Sequence, residues 1–245
     1  MSESRAIFLC AGRGSRARDV TGEVPKCLLE IDGEPLILRA IRQLADNGIY
    51  DVQIIVGYEA DRIRDAVGDR AHYHEYPDYE STNNLWTLAS HHHLMADRDV
   101  AVLFGDVIVS DDAMRRLWSG EGDLGILVDR VSRLPGTMRI RQASDGVIDM
   151  GNHISLEEAD GNYVGFLRAR PSAATAVADA VASRRKREEG RDAYFTTVVP
   201  AVTELGFDVD LISLRSEDWA EIDTAEDYEI ARERFQAAAL ERSDR

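Results

Sequence analysis

The chain has 245 residues and carries 29 Lys+Arg against 45 Asp+Glu, a formal net charge of −16. So acidic a molecule repels polyphosphate backbones and anionic bilayers, which excludes general nucleic-acid or membrane binding as its function class. With 44% hydrophobic and 30% charged residues, wholesale disorder and fibrous repeats are excluded as well, and this length buries a core without metal or disulfide staples.

Cys10 and Cys27 form no CxxC pair and are too few for a disulfide framework. Cys10 closes an apolar run, which predicts a buried free thiol. Residues 1–5 are polar without a signal-peptide pattern, and no apolar stretch approaches the ~18 residues that span a bilayer. A cytoplasmic protein is the expectation.

In chain order, residues 6–10, 52–56 and 100–105 read as continuous apolar strands, the kind buried on both faces of a parallel sheet. Between the first two, Leu36, Ile37, Ala40, Ile41, Leu44 and Ala45 keep helical spacing, and Asn47-Gly48 supplies a stop. Short helices are predicted over 60–67, ending near Gly68, and over 85–95. Past about Asp123 the pattern loosens, and 124–128, 138–141, 147–150 and 164–167 read as strands with short connections. Helices follow over 172–189, opened by Pro171, and over 194–205, where Pro200 is expected to end or kink the helix. A strand at 209–213 precedes a terminal helix at 224–240, with Thr224 as N-cap and Asp227 as its box partner. This alternation predicts right-handed βαβ units: an α/β fold with an open, Rossmann-like mixed sheet and covering helices, in one domain over 1–245.

Chemistry concentrates first at Leu9-Cys10-Ala11-Gly12-Arg13-Gly14-Ser15-Arg16, continuing to Pro25-Lys26. A buried strand runs into a loop with two glycines, so the backbone can turn sharply and aim N–H groups at an anion. Ala17 stands where a dinucleotide fingerprint wants its third glycine, and no G-x-x-x-x-G-K-[ST] exists, so the P-loop reading fails. From Gly12 to Lys26, Arg13, Arg16, Arg18 and Lys26 oppose Asp19 and Glu23, a local net charge of +2 in a chain of −16. The chain holds only two lysines, Lys26 and Lys186. A lysine beside a glycine loop in so arginine-rich a chain points to a compact point charge against phosphate.

The stretch from Leu9 through Pro25-Lys26 to Gly33-Glu34-Pro35-Leu36 resembles the signature of nucleotidyltransferases that join a nucleoside triphosphate to a small phosphorylated molecule. The resemblance extends to Gly105-Asp106 after a buried strand and to residues 219–228, Trp-Ala-Glu-Ile-Asp-Thr-Ala-Glu-Asp-Tyr. Cys10 departs from the usual small residue. Within that superfamily, the segment around Tyr79, Asn83-Asn84 and Trp86, together with Asp192-Ala193-Tyr194-Phe195, is most similar to phosphocholine and phosphonate cytidylyltransferases.

The resemblance implies a nucleotide-diphospho-sugar transferase-like fold, with a nucleotide-binding half at 1–122, an acceptor half at 123–218, and a metal-ligand strand and terminal helix at 219–245. It implies attack by an anionic phosphate or phosphonate oxygen on the α-phosphorus of CTP, for which positioning and charge compensation suffice without a general base. Arg13 and Arg16, with backbone N–H groups of residues 11–14 including Ala11, Gly12 and Gly14, and Ser15 beside them, would hold the β and γ phosphates; Lys26 would serve the α-phosphoryl. Asp106, at the C-terminal end of a central apolar strand, and Asp223 with Glu221 at i, i+2 spacing would hold Mg²⁺. Leu9 to Gly12 with Asn83 and Asn84 would read the base, while Asp192 and Tyr194 would meet a cationic group of the acceptor and Arg130 an anion. The expected partners are CTP and a small phosphoryl or phosphonyl acceptor, with no nucleic acid and no membrane; a homodimer is left open.

Blander readings stand beside these. Asn83-Asn84 can simply cap a helix, Trp86 can be core, and His91-His92-His93 is expected on a solvated face. The competing functions are a sugar-1-phosphate nucleotidyltransferase using UTP, dTTP or GTP, and a catalytically silent nucleotide-binding module. The presence of Arg13, Lys26, Asp106 and Asp223 together argues against silence.

Overall fold

The structure is a computed structural model that describes residues 4–14, 22, 24–132, 138–144 and 146–243, with 236–243 as backbone only. In chain order it builds β1 (Arg5–Cys10), the small ribbon β2 (Glu30–Ile31) and β3 (Glu34–Pro35), α1 (Leu36–Asp46), β4 (Asp51–Val56), α2 (Ala60–Val67), β5 (His72–Glu75) and α3 (Asn84–Ser90). Then come β6 (Val100–Phe104), β7 (Val107–Val109), α4 (Asp111–Ser119), β8 (Leu124–Asp129), β9 (Arg139–Gln142), β10 (Ile148–Gly151) and β11 (Gly161–Ala169). The chain closes with α5 (Pro171–Lys186), α6 (Val199–Thr203), β12 (Val209–Leu214), β13 (Trp219–Glu221) and α7 (Ala225–Ser243).

The main sheet runs β12–β8–β11–β6–β1–β4–β5, with the β9–β10 hairpin paired to the start of β11. Strands β6, β1, β4 and β5 are mutually parallel, β11 lies antiparallel between β6 and β8, and β12 returns parallel to β8. Their apolar runs suit this central place: Ile7, Ile54, Ile55, Val102 and Leu103 show no exposed surface. One face packs under α3, α5 and α6, the other under α1 and α4. A third cluster, Leu29, Ile31, Leu36, Ile108, Ala220, Ile222, Ala231 and Phe235, seats α7 over the ribbon and β13. Among the described residues no helix is long and apolar enough to cross a membrane.

The mixed sheet matches the expected architecture, and Thr224 and Asp227 exchange the predicted box bonds. Three expectations need correction. The helix expected over 85–95 is α3 followed by a separate 3-10 turn, His92–Leu94. At this break the Nδ1 atoms of His91 and His92 bond the carbonyls of Thr87 and Ala89, supplying the last turn with partners, while His92 and His93 are exposed, as a solvated face requires. Over 194–205, Pro200 neither ends nor kinks a helix but sits in the first turn of α6, after a 3-10 turn at Phe195–Val198. The strand expected at 164–167 is the middle of the longer β11, which is buried along its whole length and so shows no alternation.

Candidate active site

The C-terminal ends of β1 and β6 open into one cleft, where open α/β sheets receive ligands. After β1 the chain turns through Ala11 to Gly14. Gly14 adopts φ +59°, the left-handed region that favours glycine, whereas Gly12 does not. A Cβ on Gly14 would stand 2.9 Å from Lys26 Cγ and 3.0 Å from its Cε. The missing side chain is therefore the bed on which the lysine stem lies. Lys26 starts a 3-10 turn after Pro25, and this turn presents its ammonium to the cleft.

The carboxylates reach the same place by strand pairing. Asp106 occupies the corner between β6 and β7, and β13 pairs antiparallel to β7 with Glu221 opposite Val107. The ladder continues one step further, as Ile222 N donates to Asp106 O at 2.9 Å. Glu221 and Asp223 thus flank the residue opposite Asp106, and the three side chains offer oxygens within 4.8 Å of one another. Asp223 is steadied from behind because its N–H donates to Asp227 Oδ2 at 3.1 Å. At the other end of β13, Trp219 Nε1 donates to the buried Asp129 Oδ2 at 3.0 Å, tying the strand to the tip of β8. Opposing their burial, hydrogen bonds from Ser132, Trp219 and Val131 hold the Asp129 carboxyl below its ordinary value.

Lys26 Nζ lies 3.1 Å from Asp106 Oδ2 and 2.5 Å from Asp223 Oδ1. Burial alone would lower its pKa, but the charges and hydrogen bonds of Asp106 and Asp223 outweigh it and raise the ammonium above the ordinary lysine value. Lys26 is a charged donor throughout the neutral range. Three carboxylates against one ammonium leave this corner negative, and a compact set of hard oxygen donors fits a divalent cation such as Mg²⁺.

The opposite wall is built by α3 and the 3-10 turn Pro77–Glu80. Tyr79 rests on Gly57, where a Cβ would lie 2.6 Å from its ring. Asn83 caps α3, its Oδ1 accepting from Asn84 N at 2.7 Å while its Nδ2 donates to Asp192 O at 3.3 Å. Further bonds lace this helix start to residues 189–195: Asn83 N to Arg191 O at 2.6 Å, Leu85 N to Ala193 O at 3.2 Å, and Phe195 N to Asn84 Oδ1 at 2.7 Å. Trp86 is core, and its Nε1 donates to Glu189 O at 2.9 Å. Helix N-terminal donors that would otherwise be orphaned are thus satisfied by the segment that carries Tyr194.

Of the residues singled out from sequence, Leu9, Ala11, Gly12, Gly14, Lys26, Asn83, Asn84, Asp106, Tyr194, Glu221 and Asp223 line this one cleft. Arg13 does not line it, being paired at the rim with Glu80 (3.4 Å) and set over the Tyr58 ring (5.3 Å). Asp192 is exposed and contributes its backbone carbonyl, and Arg130 is exposed just beyond β8. Ser15 and Arg16 lie outside the described residues. Sequence reasoning missed Thr82, Thr87 and Phe104 as lining residues. Phe104 had a signal, as the last apolar residue before Gly105-Asp106; the threonines had none. Gly105 is needed because a Cβ there would lie 2.6 Å from the sulfur of Cys10, which is buried as expected.

This sheet, with its glycine turn and carboxylate corner, has the nucleotide-diphospho-sugar transferase fold. The solved CTP:phosphocholine cytidylyltransferase of Streptococcus pneumoniae superposes with a TM-score of 0.71, at 23% identity over 94% of this chain and 98% of that one. Residues 6–192 match the MobA-like NTP transferase domain, and the chain belongs to that family, a family of nucleotidyltransferases. Among curated relatives, CMP-5′-(3-aminopropyl)phosphonate synthase of Streptomyces rubellomurinus is 31% identical over 150 residues, 59% of this chain and 24% of that protein. UTP–glucose-1-phosphate uridylyltransferase of Haloferax volcanii is 28% identical over 136 residues, 52% of this chain and 54% of that protein. The chain spans less than two thirds of the length of both relatives.

Proposed function

We propose that the protein is a Mg²⁺-dependent cytidylyltransferase that transfers CMP from CTP to a small phosphorylated or phosphonate acceptor and releases pyrophosphate. The observation that carries this reading is the placement of Lys26 between the glycine turn and the Asp106–Asp223 pair. The names of the Streptomyces rubellomurinus relative and of the Streptococcus pneumoniae enzyme support the choice of CTP and of a phosphonate or phosphocholine-type acceptor.

In this reading an acceptor oxygen, already anionic at neutral pH, forms a bond to the α-phosphorus as the bond to pyrophosphate breaks. The cleft needs no nucleophile or general base of its own. The backbone N–H groups of residues 11–14 bind the β and γ phosphates, with Arg13 standing at the rim of the cleft. Lys26 stays protonated and stabilises charge on the α-phosphoryl oxygens. Asp106, Asp223 and Glu221 would hold Mg²⁺, which would supply charge neutralisation for the phosphates. Asn83, Asn84 and the backbone from Leu9 face the base, and Tyr194 faces a cationic acceptor group.

A second reading, a sugar-1-phosphate nucleotidyltransferase, is favoured by the Haloferax volcanii relative. Pyrophosphate release distinguishes them, with each of CTP, UTP, dTTP and GTP offered against phosphocholine, 2-aminoethylphosphonate, 2-hydroxyethylphosphonate and hexose 1-phosphates. Activity with CTP and one of the small acceptors is expected, and Asp106→Asn should lower it at least ~100-fold. Turnover of UTP with a hexose phosphate and none of CTP would reverse the choice.

A further inference from the structure

One buried polar group beside the carboxylate corner is left without work by this reading. Gly165 takes φ +63° inside β11, and pairing with β8 shifts register between Tyr163 and Leu167. A Cβ at 165 would stand 2.7 Å from Val107 Cγ2, so the bulge lets β11 press on the strand that leaves Asp106. Just before the bulge, Tyr163 is only 3% exposed, with its ring edge-on to Phe104 at 5.8 Å. Its hydroxyl is buried and has no hydrogen-bond partner among the described residues.

Buried hydroxyls are almost always bonded, and an unpaired one is costly to keep. A phenylalanine would fill the same space at no such cost, so the oxygen needs a reason. Strand β13 packs against β11, and its last residue is Glu221. Burial first, then the negative charge of Glu221, push the Tyr163 hydroxyl well above the usual tyrosine range. Phe104, the ring set edge-on against Tyr163, lines the same cleft as Glu221. The hydroxyl is thus a buried donor without a partner among the described residues, on the strand that packs against the one carrying Glu221.

We propose that Tyr163 is a positioning residue for Glu221: with a divalent cation in the carboxylate corner, Glu221 presents one oxygen to the ion and the other to the Tyr163 hydroxyl, directly or through one water. This rests on the reading of Asp106, Glu221 and Asp223 as a cation site, but not on which base or acceptor the enzyme takes. Partners of this kind fix the orientation of a ligating carboxylate, and losing one weakens metal affinity by about 10–100-fold.

The test is binding of Mn²⁺ alone to the full chain, read as loss of the free-ion electron paramagnetic resonance signal. Tyr163→Phe should weaken Mn²⁺ binding about 10-fold or more, without lowering the melting temperature, because the substitution removes a buried unpaired oxygen and keeps the ring. In a Glu221→Gln background the same change should alter Mn²⁺ affinity less than about 2-fold, since the pair would no longer be coupled. Mn²⁺ binding by Tyr163→Phe within 2-fold of the parent, or a full effect persisting in Glu221→Gln, would overturn the role of Tyr163. A parent that binds no Mn²⁺ removes the cation site and this proposal with it. If the parent binds Mn²⁺ but turns over an NTP other than CTP, the base assignment fails and the role of Tyr163 stands.

Discussion

Gly14 and Lys26 form a single unit: the lysine stem lies where any Cβ at position 14 would be, 2.9 Å from Cγ. Gly14→Ala therefore brings two penalties. The left-handed backbone costs an alanine about 1–2 kcal/mol, and the new methyl pushes the stem off its bed, away from Asp106 and Asp223. A folded protein with turnover reduced about 10–100-fold is expected, since misplacement of a catalytic charge by an ångström costs on that order. Steady-state kinetics beside a thermal melt check it; wild-type turnover would show that Lys26 needs no such support.

Lys26→Met keeps the stem and deletes the charge. Asp106, Glu221 and Asp223 then face one another without the ammonium that spans two of them. The variant should melt below the parent in chelator and regain more stability than the parent on adding Mg²⁺, because the ion then supplies the missing positive charge. Turnover should fall at least ~100-fold even with Mg²⁺ present. Equal responses of variant and parent to Mg²⁺ would contradict this.

The lacing of α3 to residues 189–195 makes a prediction about binding rather than chemistry. Trp86 does not line the cleft, yet its indole N–H holds Glu189 O, and the guanidinium of Arg191 lies 4.6 Å from its ring centre. Trp86→Phe removes one hydrogen bond, worth about 1 kcal/mol, and loosens the segment bearing Tyr194. The KM for the acceptor should rise roughly 5-fold while that for the nucleotide moves less than about 2-fold. A rise confined to the nucleotide would place the segment on the wrong side of the reaction.

Two histidines give stability a slope with pH. Burial, then the neighbouring His91, pushes His74 below the ordinary imidazole value; burial also pushes His91 down, against the pull of the Thr87 carbonyl. Their neutral rings donate to Gln53 Oε1 and to Thr87 O. Since the folded values are depressed, the unfolded chain takes up protons first. This contribution is complete above the unfolded value, about pH 6.5, falls as the pH drops toward the folded values, and levels off below them. Urea midpoints across pH 5–8 should decline on the acidic side, and His74→Gln with His91→Gln should flatten that decline. An unchanged slope would move its origin to other groups.

Which parts were legible in the chain follows from what is local. The apolar runs of β1, β4 and β6, the helical spacing of α1 and the Thr224–Asp227 box each sit within a few residues, where backbone periodicity and capping act. The glycine turn, the isolated Lys26 and an aspartate ending a buried strand were equally readable, because each is a conflict between a residue type and its surroundings. The end of α3 at Ser90 was not, since the ring nitrogens of His91 and His92 that bond helix carbonyls there leave no periodic trace.

Taken alone, the order of amino acids determined an α/β chain with a phosphate-seeking turn and named the charges destined for it. Only folding decided that Ile222 would bond Asp106, so that carboxylates over a hundred positions apart meet at one ammonium. It also decided that Tyr163 would be buried edge-on against Phe104 and that Arg13 would turn to the rim. Alternation along a strand specifies which face is buried, but the neighbour a strand pairs with is settled by the packing of the whole sheet.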